Sequence, residues 1–290
     1  MKEAMLYERL EGDRVQCHVC CHHCVIKKNS RGICGVRENK KGVLYALNYP
    51  KAVSAGIDPI EKKPLFHFLP RTRNYSFAAL GCNFRCPWCQ NYEVARAEKA
   101  RRVREVDVPP KTHVENARRH ACQSIAYTYS EPTVFIEYAY ETMQLAHEAG
   151  IKNVWVTNGY MSEAALETIL PYLDAANVDL KAVFENISKK WCGAHAQSVL
   201  ETIRRMKEAG VHLEVTTLVI PGVNDSPEHL EAMVETLYDA VGGDVPWHIS
   251  RFFPAFRMKD TPSTPIETLK RLRRMALNQG FTTVHLGNVR

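Results

Sequence analysis

The residues whose types and spacing could do chemistry begin with three cysteines in one short loop. Cys82, Cys86 and Cys89 lie within residues 81–91, directly after an apolar run typical of a strand. Three thiolates at this spacing can hold three irons of a four-iron cubane cluster and leave the fourth iron without a protein ligand. An open metal position indicates chemistry instead of a purely structural role. A zinc site with a fourth ligand from elsewhere is the competing interpretation.

A second group of cysteines lies near the start of the chain. Cys17, Cys20, Cys24 and Cys34 can form a four-thiolate set around one metal centre. Spacing alone leaves two alternatives open, a zinc ion and an auxiliary iron–sulfur cluster that relays electrons. Additional ligands or hydrogen-bond donors are available among them, namely Cys21, His18, His22 and His23.

The composition is that of an ordinary globular protein. The 290 residues suffice for one large domain with an appendage, and most of the ten cysteines are clustered. The sequence shows no signal peptide and no apolar stretch long enough to span a bilayer, so we expect a cytoplasmic protein with no membrane association. A reducing compartment favours metal ligation over disulfides. The isolated Cys122 and Cys192 are expected to be small buried residues.

The formal net charge is +6, and part of the excess lies just after the cysteine loop. The basic residues there are Arg96, Lys99, Arg101, Arg102 and Arg104. A solvated helix face is the simpler interpretation, and a docking site for an acidic partner or a nucleic acid is the alternative. A non-enzymatic nucleic-acid-binding module would show salt-dependent phosphate contacts, but this stretch lacks the aromatic residues that stack on unpaired bases.

From residue 75 onward, short apolar runs alternate with longer segments of helical period, which predicts a parallel α/β fold. The predicted strands cover residues 75–80, 124–129, 153–157, 176–180, 213–220, 247–251 and 283–286. Three helices are expected to end at glycines, Gly150, Gly210 and Gly280, each followed closely by a strand. Six or seven such units predict a partial or full (β/α) barrel with its functional residues after the strand ends.

Polar residues follow several of these strands, where a barrel would gather its site. Glu131 after the second strand could accept hydrogen bonds from an ammonium group. Asn158 follows the third strand, and Asp179 and Lys181 follow the fourth, where they could bind ribose hydroxyls and a carboxylate. A Pro-Gly turn after the fifth strand is expected near a nucleobase.

The cysteine loop with Trp88 resembles the radical S-adenosylmethionine (radical SAM) signature, in which SAM ligates the open iron. The ordered motifs YSEPT, VTNG, VDLK and VIPGVND are similar to those of the activating enzymes of glycyl radical proteins. This resemblance implies a [4Fe-4S] cluster and reductive cleavage of SAM to methionine and a 5′-deoxyadenosyl radical. It places Trp88 near adenine, Glu131 near the methionine amine, and Asp179 and Lys181 near the ribose and methionine end. One departure is Ala255-Phe256, where those enzymes tend to carry a histidine.

The whole chain resembles the radical SAM enzyme of the AmmeMemoRadiSam system, because the cysteine-rich start is followed by IEKKPLFHFLP and a late HLGNV. This implies residues 1–70 as a metal-binding module with a linker and residues 71–290 as the radical SAM barrel. It also implies association with Memo-type and AMMECR-type proteins. Members commonly continue into a cysteine-bearing tail, so a truncation or a short form at Arg290 stays open. Lys62, Lys63 and His67 are either a solvated linker or face the substrate.

These patterns together predict a SAM-cleaving oxidoreductase whose radical removes hydrogen from an unidentified substrate, with proteins and other macromolecules among the candidates. We expect an external reductant such as flavodoxin or ferredoxin. A glycyl radical activase is the alternative within the same class. The nucleic-acid-binding module is the alternative from another class.

Overall fold

The computed structural model describes residues 1–96 and 103–289 of the chain. Its strands, in chain order, are β1 (Lys2–Glu3), β2 (Tyr7–Leu10), β3 (Arg14–Cys17), β4 (Val25–Ile26), β5 (Arg37–Lys40), β6 (Val43–Ala46), β7 (Lys51–Ala52), β8 (Ser54–Pro59), β9 (Arg73–Ala78), β10 (Val106–Asp107), β11 (Ser124–Tyr127), β12 (Lys152–Thr157), β13 (Ala175–Asp179), β14 (His212–Val219), β15 (Trp247–Arg251) and β16 (Val284–Gly287). Its helices are α1 (Tyr92–Ala95), α2 (Pro110–Arg119), α3 (Ile136–Glu148), α4 (Glu163–Ile169), α5 (Glu185–Cys192), α6 (Ala196–Glu208), α7 (Pro227–Val241) and α8 (Ile266–Gln279).

One eight-stranded sheet organises the fold, in the order β16-β15-β14-β13-β12-β11-β9-β8. Seven neighbouring strands run parallel, and β8 pairs antiparallel with β9 at one edge. The two edge strands, β8 and β16, are not paired with each other in this order, so the sheet is an open barrel. Parallel strands point their carboxyl ends to the same rim, which gathers the loops that follow them.

The α/β fold and the partial barrel predicted from the sequence are confirmed. All seven predicted strands are present, and their ends differ from the prediction by two residues or fewer. Gly150, Gly210 and Gly280 follow α3, α6 and α8 with φ of 70°, 77° and 120°, the left-handed conformation that glycine adopts without a Cβ clash.

The helices bury apolar faces against the sheet, as their periodicity requires. Val199, Ile203 and Met206 of α6 are buried at the spacing of one helix face, and Leu269 and Leu272 of α8 are fully buried. Trp155 of β12 and Trp247 of β15 are among the largest fully buried side chains. Within the described residues, no helix is both long and apolar enough to cross a membrane.

The first fifty residues form two small antiparallel sheets, β1-β6-β5 and β2-β3-β4. A buried ion pair fastens them to the barrel: Arg37 on β5 donates to both carboxylate oxygens of Glu137 on α3, at 2.9 and 2.7 Å. Strand β7 pairs with β10 in a separate two-stranded sheet, and β8 already belongs to the barrel sheet, although it lies within the residues predicted as module and linker. The predicted division near residue 70 stays a prediction.

Candidate active site

The three loop cysteines follow β9 and line one cavity at the carboxyl rim of the sheet. Cys86 is buried, and Cys82 and Cys89 are partly buried. Burial raises the pKa of Cys82 and of Cys89. A hydrogen bond with the thiol of Cys192, followed by burial, raises the pKa of Cys86. The free thiols are therefore protonated at neutral pH, and a metal centre must displace these protons when it binds.

The loop backbone is held by contacts on both sides. Gly81 has a φ of 106°, and a Cβ at this position would lie 2.7 Å from Val36 Cγ2 and 3.1 Å from the carbonyl oxygen of Cys34. Glycine thus allows the cysteine loop to approach the N-terminal module closely. From the barrel side, Asn158 Nδ2 donates to Asn83 Oδ1 at 2.8 Å and lies 3.8 Å from Cys82 Sγ.

Glu131, predicted to bind an ammonium group, is fully buried at the end of β11 and lines the same cavity. Its Oε1 accepts from the Thr133 amide and hydroxyl and from the Thr157 hydroxyl, at 3.0, 2.6 and 2.7 Å. Its Oε2 accepts from the Asn158 amide at 2.8 Å. Burial raises the pKa of Glu131, and these hydrogen bonds oppose that rise. These hydrogen bonds position the segments that follow β11 and β12 and use most of the lone pairs of the carboxylate. Oε2 can still accept a hydrogen bond from a ligand.

Asp179 and Lys181 lie together in the cavity wall, with Lys181 Nζ 2.9 Å from Asp179 Oδ2. Burial works against the charge of Lys181, but the charge and hydrogen bond of the Asp179 carboxylate outweigh it and raise the pKa of the lysine. Lys181 is therefore a permanent cation beside the cysteine loop. Trp88 is buried in the same wall, with its ring centroid 6.3 Å from that of Trp191.

The structure brings all eight predicted residues of this site into one cavity of about 330 Å³. They are Cys82, Cys86, Cys89, Trp88, Glu131, Asn158, Asp179 and Lys181. This volume lies at the lower end of the range typical of ligand pockets, about 300–1,000 Å³. The roles predicted for these residues toward SAM stay predictions.

The cavity also contains residues that sequence reasoning missed or left undecided. Thr216 and Ser250 come from β14 and β15, and Tyr129 lies just after β11. The hydroxyl of Thr216 is buried with no hydrogen-bond partner among the described residues. A buried polar atom in this state indicates a ligand or water. Lys62 and Lys63, left undecided from the sequence, line the cavity, whereas His67 is not among its lining residues.

The donor set fits the predicted cluster. Within residues 1–96 and 103–289, no three His, Cys, Asp or Glu side chains are arranged to hold a single metal ion. A four-iron cubane binds each thiolate at a different iron, so it does not require such convergence. Three thiols in one cavity, an adjacent lysine and an orphaned hydroxyl are consistent with a cluster and a polar cofactor in the same space.

The N-terminal set is also brought together. Cys17, Cys20, Cys24 and Cys34 line a second, small cavity, with His22 and Arg37 in its wall. The fifth thiol, Cys21, does not line it and instead donates to the carbonyl of Met161 at 3.0 Å. Because these thiols also lack a single-ion arrangement, one zinc ion would require them to move closer together.

The remaining predicted features have mixed outcomes. Cys122 and Cys192 are buried as expected, but the contact of Cys192 with Cys86 was missed. Arg96 is buried, which contradicts a solvated face at that position, whereas Arg104 is exposed. The other basic residues of that stretch, Lys99, Arg101 and Arg102, lie outside the described residues.

The segment that departs from the activase pattern packs beside the cysteine loop. Phe256 stacks on Tyr92 with ring centroids 4.4 Å apart, and the Arg257 amide donates to the Pro87 carbonyl at 2.9 Å. An aromatic contact thus occupies the position where a histidine was expected.

Comparison with known proteins agrees with this geometry. The model of the radical SAM superfamily matches residues 78–237. The uncharacterized protein MJ0808 of Methanocaldococcus jannaschii is 45% identical over 289 residues, which are 100% of this chain and 86% of that protein. The 4-hydroxyphenylacetate decarboxylase activating enzyme of Clostridium scatologenes is 24% identical over 113 residues, 38% of this chain and 36% of that enzyme.

The fold has a solved counterpart in a radical SAM methyltransferase from Sphaerobacter thermophilus. The two structures share a TM-score of 0.55 at 15% identity, over 77% of this chain and 68% of that one. The superfamily match covers the cysteine loop and the ends of β11 to β14. The chain belongs to the radical SAM superfamily.

Proposed function

We propose that this protein is an enzyme that cleaves SAM reductively and uses the resulting 5′-deoxyadenosyl radical to remove a hydrogen atom from a substrate in the same cavity. Reductive cleavage of SAM is general to the superfamily. One observation supports the proposal most: the three loop cysteines share a cavity with Glu131, Asn158, Asp179 and Lys181, the polar residues predicted to contact SAM.

Each residue of the cavity would have a separate role in holding the cluster and SAM. Cys82, Cys86 and Cys89 would hold a [4Fe-4S] cluster, which supplies the electron for cleavage when it is bound. The remaining acceptor position of Glu131 Oε2 suits an amine, and the Lys181 ammonium suits a carboxylate. Trp88 provides a buried apolar surface beside the third cysteine. The buried wall excludes water from a reactive intermediate.

The test is formation of 5′-deoxyadenosine by anaerobically reconstituted, dithionite-reduced protein with SAM. We expect product from the wild type and none from a variant with Cys82, Cys86 and Cys89 all changed to alanine. Cys122→Ala is the matched control, because this cysteine is buried but does not line the cavity. No product from a fully reconstituted and reduced wild type would contradict the proposal and restore the nucleic-acid-binding module as the leading alternative.

A second candidate is activation of a glycyl radical protein, favoured by the 24% identity to an activating enzyme. The match spans 36% of that enzyme, so its activity does not carry over by similarity alone. Electron paramagnetic resonance of a co-encoded partner after incubation with the reduced enzyme and SAM tests it. A glycyl radical signal supports the activase, and its absence from such partners counts against it.

We also propose that Cys17, Cys20, Cys24 and Cys34 hold a metal centre, and that the lack of a single-ion arrangement among them in the described part of the chain favours an auxiliary iron–sulfur cluster over zinc. Metal analysis of the variant lacking the three loop cysteines tests this. Iron and sulfide retained by that variant, and lost when the N-terminal four are also replaced, would support a second cluster. Stoichiometric zinc would favour the structural alternative.

Membership in the AmmeMemoRadiSam system, partnership with Memo-type and AMMECR-type proteins, and reduction by flavodoxin or ferredoxin remain proposals. The resemblance of the segment 60–70 and of the HLGNV motif supports the first two, and the need of the cluster for an electron supports the third. Co-purification with tagged Memo-type and AMMECR-type proteins tests the partnership. Replacement of dithionite by reduced flavodoxin or ferredoxin in the assay of 5′-deoxyadenosine tests the electron donor.

A further inference from the structure

The active-site cavity has a cationic wall that none of the predicted SAM contacts uses. It consists of Lys62 and Lys63, at and just after the short helical turn that follows β8, and of Tyr129, just after β11. We call these three residues the lysine wall. All three line the cavity that contains the loop cysteines.

The lysine wall is organised around one carboxylate, that of Asp58 on β8. Lys62 Nζ lies 2.6 Å from Asp58 Oδ1, and Lys63 Nζ lies 2.9 Å from Asp58 Oδ2. Tyr129 accepts a hydrogen bond from Lys63 at 2.6 Å and donates to Asp58 Oδ2 at 2.7 Å. Two ammonium groups thus share one carboxylate, which leaves one uncompensated positive charge at the cavity surface.

The position of Lys63 makes this charge significant. Its side chain is only 1% exposed, and a buried ammonium without full compensation is costly. An ammonium has three donor hydrogens, and within the described part of the chain Asp58 and Tyr129 engage two of them. Lys63 therefore has a donor hydrogen available for a ligand, and the carboxylate that it shares with Lys62 leaves the two lysines with one excess positive charge.

The backbone of Tyr129 supports the same conclusion. Its φ is 68°, in the left-handed region that an aromatic residue rarely adopts. Such strain is held by surrounding contacts and is concentrated at functional sites. The contacts here are the hydroxyl bonds to Lys63 and Asp58 and a third, to Ser76 Oγ at 3.0 Å. The strained turn keeps the phenol beside Lys63.

We propose that the lysine wall binds an anionic group of the substrate, a carboxylate or a phosphate. The inference rests on the proposed function, since the molecule held there is the one that loses the hydrogen atom. Lys181 already provides a cation beside Asp179 and Cys86, where the methionine end of SAM is predicted. A second cationic site in the same cavity therefore suits an anionic group of a second molecule.

Anion binding by reconstituted protein saturated with SAM tests the inference without turnover. Inorganic phosphate and acetate are the two probes, titrated separately by calorimetry against wild type, Lys63→Met and Lys62→Ala. We expect at least tenfold weaker binding of the preferred probe by Lys63→Met, and recovery by Lys63→Arg. Preference for phosphate would indicate a phosphorylated substrate, and preference for acetate a carboxylic acid.

Lys152→Ala is the matched control. Lys152 is 53% exposed and pairs with Asp174 at 2.7 Å, as Lys62 is 61% exposed and pairs with Asp58 at 2.6 Å, but it does not line the cavity. The control should bind the probe like the wild type. If Lys63→Met does not fold, Lys62→Ala serves as the test variant, because Lys62 is exposed. We expect it to lose less affinity for the probe.

Three results would overturn the inference: no binding of either probe by the wild type, equal binding by the wild type and the lysine variants, or an equal loss of SAM affinity in those variants. The last result would assign the lysine wall to SAM itself. The proposed function fails separately, if the same reconstituted wild type forms no 5′-deoxyadenosine.

Discussion

His22 Nε2 lies 2.8 Å from the carbonyl oxygen of Asn83, the residue that follows the first loop cysteine. Burial lowers the pKa of His22, so its ring is neutral at physiological pH and donates this hydrogen bond from a protonated Nε2. The same histidine lines the small cavity of the N-terminal cysteines. One side chain therefore connects the two cysteine groups of the chain.

Replacement of this histidine should weaken the cysteine loop. We expect His22→Ala to lower the free energy of unfolding of the metal-free protein by about 1 kcal/mol, the usual net value of one hydrogen bond. It should also lower the iron retained at the loop after reconstitution. Urea denaturation and iron analysis measure the two effects. His18→Ala, in the same module but outside the lining of the small cavity, is the control, and equal behaviour of the two variants would contradict the prediction.

Gly81→Ala should separate the N-terminal module from the cysteine loop. The new Cβ would lie within 3.0 Å of two Val36 carbons, in a backbone conformation with φ of 106°. Gly150→Ala is matched for backbone strain, since its φ is 70° and nothing lies within 4 Å of the added carbon. We expect Gly81→Ala to cost about 1–3 kcal/mol more than the control, from overpacking. Chemical denaturation of both metal-free variants measures this cost. Equal losses in the free energy of unfolding would show that the N-terminal module shifts to accommodate the added carbon without a further cost.

The sequence was sufficient for the strands of the barrel and for the cluster loop, because both depend on local patterns. The apolar runs of β9 and β11–β16 alternate with amphipathic helices, and three and two residues separate the successive cysteines of the loop. Strand β8 was missed. Its residues, Ser-Ala-Gly-Ile-Asp-Pro, carry no clear apolar alternation, since it is an edge strand that is stabilised by pairing with β9.

Sequence could not identify the residues whose role depends on distant partners. Lys63 is buried only because Asp58 and Tyr129, on separate elements, compensate its charge. Cys192 looks like an ordinary core cysteine until α5 brings it to Cys86. Such contacts are set by tertiary packing, which periodicity and spacing do not encode.

The buried pair of Arg37 and Glu137 should be the strongest single attachment of the N-terminal module. Their side chains are 2% and 0% exposed, so removal of one partner leaves a buried charge uncompensated. We expect Arg37→Met to cost about 3–5 kcal/mol, and the double variant with Glu137→Leu to cost less than that single change. Lys270→Met, from an exposed pair with Glu267, should cost less than about 1 kcal/mol. A double-mutant cycle by urea denaturation measures these values, and a double variant less stable than Arg37→Met would contradict the account.

Glu214, inside the barrel on β14, should make stability depend on pH. Its carboxylate is fully buried and bonds to His248 at 2.6 Å, to His212 at 3.1 Å, and to the amides of Phe66 and His67. Burial opposes its charge, but these hydrogen bonds outweigh burial and lower the pKa of Glu214 from 4.5 to about 2. The imidazole of His285 also lies near it.

A carboxyl group with a lowered pKa stabilises the fold above its unfolded pKa, and this contribution is lost as the pH falls through the folded value. The contribution of Glu214 should therefore be complete at pH 7 and decline from about pH 5 to about pH 2, by roughly 2 to 3 kcal/mol in all. Denaturation of metal-free wild type and Glu214→Gln across this range measures it. The stability difference between the two should be largest at neutral pH and shrink in acid. A difference that stays constant with pH would show that the glutamate acts through packing alone.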